Sequence, residues 1–363
     1  MTASRTTQAT PVAQARLLRQ GIDAPQFDTP EDVLGWLLAM QAQDYLGALW
    51  AVGLRMREAT EAAVERAVAE RRIVRTWPMR GTLHFVTADD VRWLLALLAP
   101  RSIARDRLRL PRQHGLDDAT IAHARKFTET LLAKEGALTR EALYERWEAA
   151  GIGTAQQRGI NLINRLAQEG VLCHGVRQGK LHTYVLLDDW VPAAESLPRD
   201  EALARLALRY LRSRGPATAQ DLGWWSGLTV KDAQTAIASV AGELHAEAID
   251  GTTYWWVGDE GGGAPLRSLH LLPSFDEFLV AYADRSAALP RALNRNIVGI
   301  NGLLSPCIVV DGRIVGRWSR RLSGAAVRVV PELLATPPRG IARELRREAT
   351  RYAAFLGKAL QPD

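Results

Sequence analysis

Apolar residues recur at spacings of three and four in several segments of the chain, which is the pattern of an amphipathic helix. In the segment that starts at Thr29, this stripe comprises Val33, Leu34, Leu37 and Leu38. Thr29 is a favourable N-cap, because its hydroxyl can accept a hydrogen bond from a backbone amide of the first turn. We therefore predict a helix that follows Thr29 and buries its apolar side.

Helical segments followed by two short strands around a tight turn occur three times along the chain. The turns are predicted at Arg80-Gly81, Gln178-Gly179 and Asp250-Gly251, between runs that are typical of strands. Helices followed by a two-stranded wing form a winged helix-turn-helix unit. We predict three such units in tandem, over residues 1–112, 113–198 and 199–260.

The pattern changes after Gly261-Gly262-Gly263, which we interpret as a linker. Strand-like runs follow at Leu269–Leu272, Cys307–Val310 and Arg313–Trp318, and a helix is predicted over Ile341–Leu360. Residues 261–363 are therefore predicted to form a small β-rich C-terminal domain. The fold class expected for the whole chain is α+β.

Composition limits the kind of protein this is. The 363 residues are 47% hydrophobic and 24% charged, which is ordinary for a globular protein. No stretch approaches the roughly 18 apolar residues of a membrane span, and residues 1–20 lack the apolar core of a signal peptide. The two cysteines, Cys173 and Cys307, have no zinc-ligand spacing. We expect a cytoplasmic protein with no metal, no cofactor and no membrane association.

The net charge of +6 comes mainly from arginine. A GC-rich genome would produce such a bias, and an anionic partner would favour it equally. The segment Arg101–Arg112 decides between these explanations, because it holds five arginines (Arg101, Arg105, Arg107, Arg109 and Arg112) and a single acid, Asp106. Such density along one segment favours contact with phosphate groups.

Two glutamines interrupt the apolar pattern at the end of the first predicted amphipathic helix. Gln41 is the next residue on the buried stripe, and a buried amide without hydrogen-bond partners costs about 1–3 kcal/mol. Asp44 and Gly47 indicate that the helix ends here and that Asp44 caps the next one. Gln41 and Gln43 would then converge on one cleft. Judged by the residues alone, a pair of amides that satisfies backbone groups at a helix end is the better explanation.

Four segments change that judgement. They are Leu38–Asp44 (LAMQAQD), Arg75–His84 (RTWPMRGTLH), Leu271–Phe278 (LLPSFDEF) and Tyr282–Arg285 (YADR). Together they resemble the bacterial winged-helix DNA glycosylase superfamily, which contains AlkZ-like and YcaQ-like branches. A Gln-x-Gln motif marks the AlkZ-like branch, whereas the other branch has aspartate at the second position. Gln43 therefore places the resemblance with the AlkZ-like branch.

The resemblance implies a DNA repair enzyme whose tandem winged helices surround a DNA-binding channel. It implies a monofunctional glycosylase that excises N7-alkylated purines, including bulky or crosslinked adducts, with Gln41 and Gln43 as catalytic residues. Gln43 is expected to position the water and Gln41 to support it. The expected partner is duplex DNA, bound by a nucleoid-associated monomer. The side chains expected to contact DNA are Arg75, Arg80, Thr82, His84, Arg101, Arg105, Arg109, Arg112, Arg177 and Lys180.

The main alternative is a winged-helix transcriptional regulator without catalytic activity. Regulators of this kind usually carry one such unit and bind a palindrome as dimers. Three predicted units in one chain favour a monomer instead, and a repair enzyme would recognise damage rather than sequence.

Overall fold

Helices alternate with short hairpins in the computed structural model, which describes residues 11–194, 197–258, 268–336 and 340–361. Both kinds of element occur throughout these ranges, so the α+β class is confirmed. The helices are α1 (Pro11–Arg19), α2 (Pro30–Leu37), α3 (Tyr45–Gly53), α4 (Glu61–Ala69), α5 (Val91–Asp106), α6 (Arg109–His114), α7 (Asp118–Glu135), α8 (Arg140–Ala149), α9 (Arg158–Gln168), α10 (Leu187–Trp190), α11 (Arg199–Arg214), α12 (Ala219–Ser226), α13 (Val230–Ser239), α14 (Glu277–Val280), α15 (Asn294–Ile297) and α16 (Ile341–Phe355). The strands are β1 (Ala39–Gln41), β2 (Ile73–Met79), β3 (Thr82–Thr87), β4 (Leu138–Thr139), β5 (Leu172–His174), β6 (Thr183–Leu186), β7 (Leu244–Ile249), β8 (Thr252–Val257), β9 (Leu269–Leu272), β10 (Cys307–Val310), β11 (Arg313–Ser323), β12 (Ala326–Leu333) and β13 (Ala359–Leu360).

Local capping explains where several helices begin. The hydroxyls of Thr29, Thr139, Thr218 and Thr229 each accept a hydrogen bond from the backbone amide three residues later, as N-caps do. The TAQQR segment at Thr154 has the sequence pattern of a further threonine N-cap, but Thr154 does not cap α9. Its hydroxyl instead donates to Glu148, and α9 begins only at Arg158.

The predicted hairpins are present, but two of them do not stand alone. Within the described ranges, β2–β3 and β5–β6 merge into a six-stranded sheet with the order β1-β3-β2-β5-β6-β4. The junction is the antiparallel pairing of Arg75 with His174, which are 99 positions apart in sequence. This pairing joins the strands between Ala39 and Leu186 into one sheet. The β7–β8 hairpin forms a separate two-stranded sheet.

The C-terminal segment contains a second sheet. Among the residues that the structure describes, it has five strands in the order β13-β12-β11-β10-β9. The strands predicted at Leu269–Leu272 and Cys307–Val310 are confirmed as β9 and β10, whereas β12 was not predicted. The predicted terminal helix ends at Phe355, and the residues after it contribute β13. The interpreted linker Gly261-Gly262-Gly263 lies outside the described residues.

This C-terminal sheet shares a hydrophobic core with α1–α4. Trp50 of α3 is almost fully buried there, its ring centroid 5.1 Å from those of both Tyr352 and Phe355. Its indole N–H also donates to the carbonyl of Leu271 at 2.7 Å. Burial of a large aromatic ring is strongly stabilising, so this contact fixes the position of the C-terminal sheet against the N-terminal helices. None of the described helices is long and apolar enough to cross a membrane.

A buried ion pair reinforces the same contact. Arg55 and Asp276 are joined by two parallel hydrogen bonds of 2.9 Å, and both side chains are almost fully buried. Arg55 also donates to the carbonyls of Gln20 and Ala51, so its remaining donors have partners. A fully bonded buried pair is tolerated, but the loss of one partner leaves an unpaired charge in the interior.

We therefore expect Arg55→Met to lower the free energy of unfolding by about 3–5 kcal/mol, because the buried Asp276 carboxylate would lose its cationic partner and keep only the backbone N–H of Phe278. Urea denaturation followed by circular dichroism measures this change. Arg57→Met is the matched control, since the Arg57–Asp28 pair is mostly exposed and should contribute under about 1 kcal/mol. Equal losses in the two variants would contradict the prediction.

Candidate active site

A sharp bend in the backbone separates α2 from the segment that carries the two glutamines. Helix α2 ends at Leu37, and Leu38 takes a left-handed conformation with φ of 66°. Residues Ala39–Gln41 then form β1, where Gln41 pairs with His84 of β3. The expectation that Gln41 continues the helical stripe is therefore wrong. Gln43 follows two positions later, in a bend just outside β1.

Their hydrogen-bond partners fix how the two amides are oriented. The guanidinium of Arg80 donates to Oε1 of Gln41 at 3.1 Å, and the backbone N–H of Leu83 donates to Oε1 of Gln43 at 3.2 Å. Both partners can only donate, so each must face the amide oxygen and not the nitrogen. Neither NH₂ group donates to a protein acceptor within the described ranges, and Gln43 is exposed. Each amide keeps one free oxygen lone pair and a free NH₂ group for a ligand.

A buried network holds the backbone of Gln41 from below. The backbone N–H of Gln41 donates to one carboxylate oxygen of Glu277 at 2.9 Å. The other oxygen of that carboxylate accepts from Arg214 at 2.7 Å and from the indole N–H of Trp225 at 2.8 Å. Arg214 also donates to the carbonyls of Leu37 and Ala39, on both sides of the bend. The conformation of β1 thus depends on side chains from α11, α12 and α14.

Arg80 links this network to the floor of the site. Its guanidinium donates to the carbonyl of Trp225 and lies 3.3 Å from Nε2 of His84. Nδ1 of His84 lies 2.9 Å from the carbonyl of Thr82, which can only accept, so the proton is on Nδ1 and Nε2 accepts from Arg80. Burial, with the nearby charge of Arg80, keeps the pKa of His84 well below its ordinary value. Burial likewise lowers the pKa of Arg80 to about 10, so it stays charged at neutral pH.

A cleft of about 760 Å³ opens beside Gln43, between the β2–β3 hairpin, α9 and the β5–β6 hairpin. Its charged lining is mostly cationic, and the one acid lining it, Asp106, is paired with Arg109 at 2.9 Å. A second hollow of about 410 Å³ lies next to Arg80, Arg101 and Arg105. The part of the chain that the structure describes holds no cluster of three His, Cys, Asp or Glu side chains suited to a metal ion. The cationic residues of the cleft are Arg75, Arg80, Arg105, Arg109 and Arg140.

Comparison with known proteins shows which family this is. The family model for DNA glycosylase AlkZ-like proteins matches residues 34–355. The chain belongs to the AlkZ-like DNA glycosylase family. It is 27% identical over 348 residues to an interstrand DNA cross-link repair glycosylase from Streptomyces sahachiroi, covering 91% of this chain and 92% of the relative. The solved structure of the Streptomyces sahachiroi DNA glycosylase AlkZ has the same fold, with a TM-score of 0.81 at 24% identity over 98% of this chain and 100% of that one.

The resemblance recognised from the sequence is thereby confirmed, and the protein is a DNA glycosylase with DNA as its substrate. The alternative of a non-catalytic regulator is not favoured. The glycosylase positions several of the expected DNA contacts at its surface: Arg101, Arg105, Arg112 and Lys180 are exposed. Thr82, Arg109 and Arg177 are partly buried, and the last two are paired with Asp106 and Glu65.

Two of the expected contacts do not match the geometry. Arg75 is 3% exposed and donates twice to the carbonyl of Ala42, so its charge supports the Gln41–Gln43 segment from behind. His84 is 0% exposed and accepts from Arg80. Both were expected to reach DNA because they belong to a strongly basic hairpin. Strand pairing instead turns both side chains inward, where they position other residues of the site.

Other residues of the site were not predicted at all. Arg140, Asn161, Asn164 and His182 line the cleft, although they are 97 or more positions beyond Gln43 in sequence. Glu277 lies in one of the segments that carry the family resemblance, but the sequence around it does not indicate that it contacts the backbone of Gln41. Asn161 and Asn164 are three positions apart on α9 and therefore lie on the same face of the helix. This polar face is the one local sequence signal that could have indicated these site residues.

Three buried or half-buried histidines near the cleft have lowered pKa values. Burial is the main cause for each, followed by the charge of Arg80 for His84 and of Arg75 for His174 and His182. The pKa of His182 falls to about 4. Because the ordinary value is about 6.5, all three are neutral at pH 7 in the folded protein.

The free energy of unfolding should therefore fall as the pH drops from about 6.5 toward 4. In that pH range the histidines are protonated in the unfolded chain but stay neutral in the folded protein, because their pKa values are lower there. Acid therefore favours unfolding. The urea midpoint measured at pH 7.5 and at pH 5.0 tests this, and His182→Gln should narrow the difference. His123→Gln, on an exposed position of α7, is the control and should leave it unchanged. An equal difference in urea midpoint between the two pH values in wild type and in His182→Gln would contradict the prediction.

The Glu277 network yields a second prediction. Glu277→Gln keeps the size of the side chain but removes the charge that holds Arg214 and the Gln41 amide, so the site should loosen. We expect single-turnover excision to slow roughly 10–100-fold, because small displacements of catalytic groups are costly, while the Kd for DNA changes less than about threefold. Glu332→Gln, in the exposed pair with Arg317, is the control. An equal change in rate and Kd would indicate a general structural effect instead.

Proposed function

We propose that this glycosylase hydrolyses the N-glycosidic bond of N7-alkylated purines in duplex DNA, with Gln43 and Gln41 positioning the attacking water. The observation that carries the proposal is the anchoring of both amides through Oε1, which leaves a lone pair and an NH₂ group on each for a ligand. One water can donate to an amide oxygen and accept from an amide N–H.

Neutral amides suit this substrate class. An N7-alkylated purine is cationic, so it leaves C1′ as a neutral base and needs no proton from the enzyme. The water oxygen forms a bond to C1′ as the C1′–N9 bond breaks, and the proton released from the water goes to solvent. The protein contributes position and not proton transfer. Undamaged purines would require leaving-group protonation, which glutamine cannot supply, so weak chemistry gives selectivity.

The carboxylates near the glutamines have other partners. Asp44 accepts from the backbone amide of Gly47 and caps α3, as its sequence position predicted. Asp106 is paired with Arg109, three residues later in the chain. Neither is free of a structural hydrogen bond or ion pair, which supports the amides as the reacting groups. Variants of Asp44 discriminate between the two assignments.

We further propose that the three helix–hairpin units are winged helices that bind the duplex as part of a monomer in the cytoplasm, associated with the nucleoid. The exposed arginines on α5 and α6 would neutralise phosphates, which orient the duplex without reading its sequence. The units are proposed at residues 1–112, 113–198 and 199–260, with residues 261–363 as a C-terminal β-rich domain.

The Streptomyces sahachiroi relative is an interstrand DNA cross-link repair glycosylase. We propose that the present enzyme also accepts bulky or crosslinked N7 adducts. The supporting observation is the width of the site, since a cleft of about 760 Å³ is far larger than one methylated base requires.

The test uses a duplex with a single N7-methylguanine, followed by mild alkaline cleavage at abasic sites. Wild-type protein should produce the cleaved strand, and Gln43→Ala should lower the excision rate about 10²–10³-fold, the usual effect of removing one positioned polar group. Gln41→Ala should lower it less. Gln234→Ala, an exposed glutamine on α13, and Asp44→Asn are the controls and should retain near wild-type rates.

Loss of activity in Asp44→Asn with normal activity in Gln43→Ala would transfer the catalytic role to the carboxylate. Should wild type excise only bulky N7 adducts, the substrate class narrows to those. If wild type excises no N7-alkylated purine, the proposed substrate class is wrong.

A further inference from the structure

A wall of aromatic and imidazole rings closes the end of the cleft beyond Gln43. It consists of Trp77 from β2, His174 from β5, Tyr184 from β6, and His182 from the segment before β6. The rings of Trp77 and His174 stack with centroids 5.1 Å apart, and His182 meets His174 edge-on at 5.2 Å. These rings meet only because Arg75 and His174 pair across the β2–β5 junction.

His174 is the unexplained member of this wall. It is 4% exposed, yet neither of its ring nitrogens has a hydrogen-bond partner of normal geometry. The nearby carbonyl of Thr183 already accepts the backbone amide of Gly175 at 3.0 Å, and it can face only one of the two nitrogens. A buried polar group without a partner is uncommon in native proteins and calls for a specific reason. Here the reason suggested by its position is a ligand that enters from the cleft.

The chemistry of that ligand follows from the surroundings. Burial and the charge of Arg75 keep the pKa of His174 well below its ordinary value, so the imidazole is neutral and offers one donor and one acceptor. Phosphates have better partners in Arg105 and Arg140, which line the cleft and lie outside this wall. A cationic N7-alkylated base would be repelled by the buried guanidinium of Arg75, which lies 3.3 Å from His182. An uncharged ring remains as the group that fits.

We propose that this wall is a subsite for an uncharged, planar, hydrogen-bonding ring carried on the alkyl substituent of the damaged base, with His174 as its hydrogen-bond partner. The inference rests on the proposed excision of N7-alkylated purines and adds a preference among them. Trp77 and His182 supply apolar and edge contacts to the ring. The substituent extends along the cleft while the glycosidic bond stays beside Gln43.

The experiment compares three duplexes that differ only at one guanine: N7-methyl, N7-benzyl and N7-(4-pyridylmethyl). Benzyl and pyridylmethyl have the same shape, but only the pyridine nitrogen accepts a hydrogen bond from His174. Wild type should excise the pyridylmethyl adduct about five- to tenfold faster, in kcat/KM, than the benzyl adduct, the effect of about one hydrogen bond. In His174→Leu that ratio should fall to near one, with excision of N7-methylguanine changed less than about threefold.

His123→Leu is the matched control, because that histidine is exposed on α7 and does not line the cleft. His182→Leu changes a less buried member of the wall and serves if His174→Leu does not fold, as judged by its urea midpoint. It should lower excision of both ring-bearing adducts several-fold more than excision of N7-methylguanine. A pyridylmethyl-to-benzyl ratio that is unchanged in His174→Leu would overturn the subsite. So would an equal loss on N7-methylguanine, which would mean that the base itself lies against the wall.

Failure of the proposed function is a separate outcome, visible as no excision of any duplex by wild type. The subsite is then measured by the Kd of the same three duplexes in fluorescence anisotropy. A preference for pyridylmethyl over benzyl that disappears in His174→Leu supports the subsite without catalysis. Equal Kd values for the two duplexes in wild type would overturn it.

Discussion

The buried ion pair between Arg214 and Glu277 is the interaction on which the site depends. Its carboxylate accepts the backbone amide of Gln41, and its guanidinium binds the carbonyls of Leu37 and Ala39 around the bend. Both side chains are at most 1% exposed, so the desolvation cost is large and is offset only by a complete set of hydrogen bonds. The indole of Trp225 completes the set on Glu277.

This pair also joins parts of the chain that are far apart in sequence. Arg214 ends α11, Glu277 begins α14, and Gln41 ends β1. A charge-assisted network of this kind loses much of its stabilisation if any member moves, because the buried groups bonded to that member then lack one of their partners. The two glutamines proposed to position the water are therefore held on a rigid base, although the segment that carries them is short. Precise placement matters most where amides position a water and perform no proton transfer.

The cleft follows from a second long-range constraint, the pairing of β2 with β5. That pairing turns Arg75 inward onto the carbonyl of Ala42, whereas Arg101, Arg105 and Arg112 of α5 and α6 are exposed. One set of cations is thus buried and another is exposed, although the sequence shows a single basic region. The same junction creates the neutral ring wall, so an aromatic end and a cationic rim share one cleft.

Local chemistry in the sequence was sufficient for the features that depend on neighbouring residues. The Thr29, Thr139, Thr218 and Thr229 caps and the hairpin turns rest on contacts within a few positions, and the sequence determined them. It also determined the family, because the glutamine motif and the Arg75–His84 segment occur together. By contrast, the bend after Leu37, the burial of His84 and the contact of Glu277 with Gln41 were decided by the tertiary structure alone. The physical reason is that each depends on a partner from another strand or helix, up to 236 positions away, and residue patterns carry no record of such a partner.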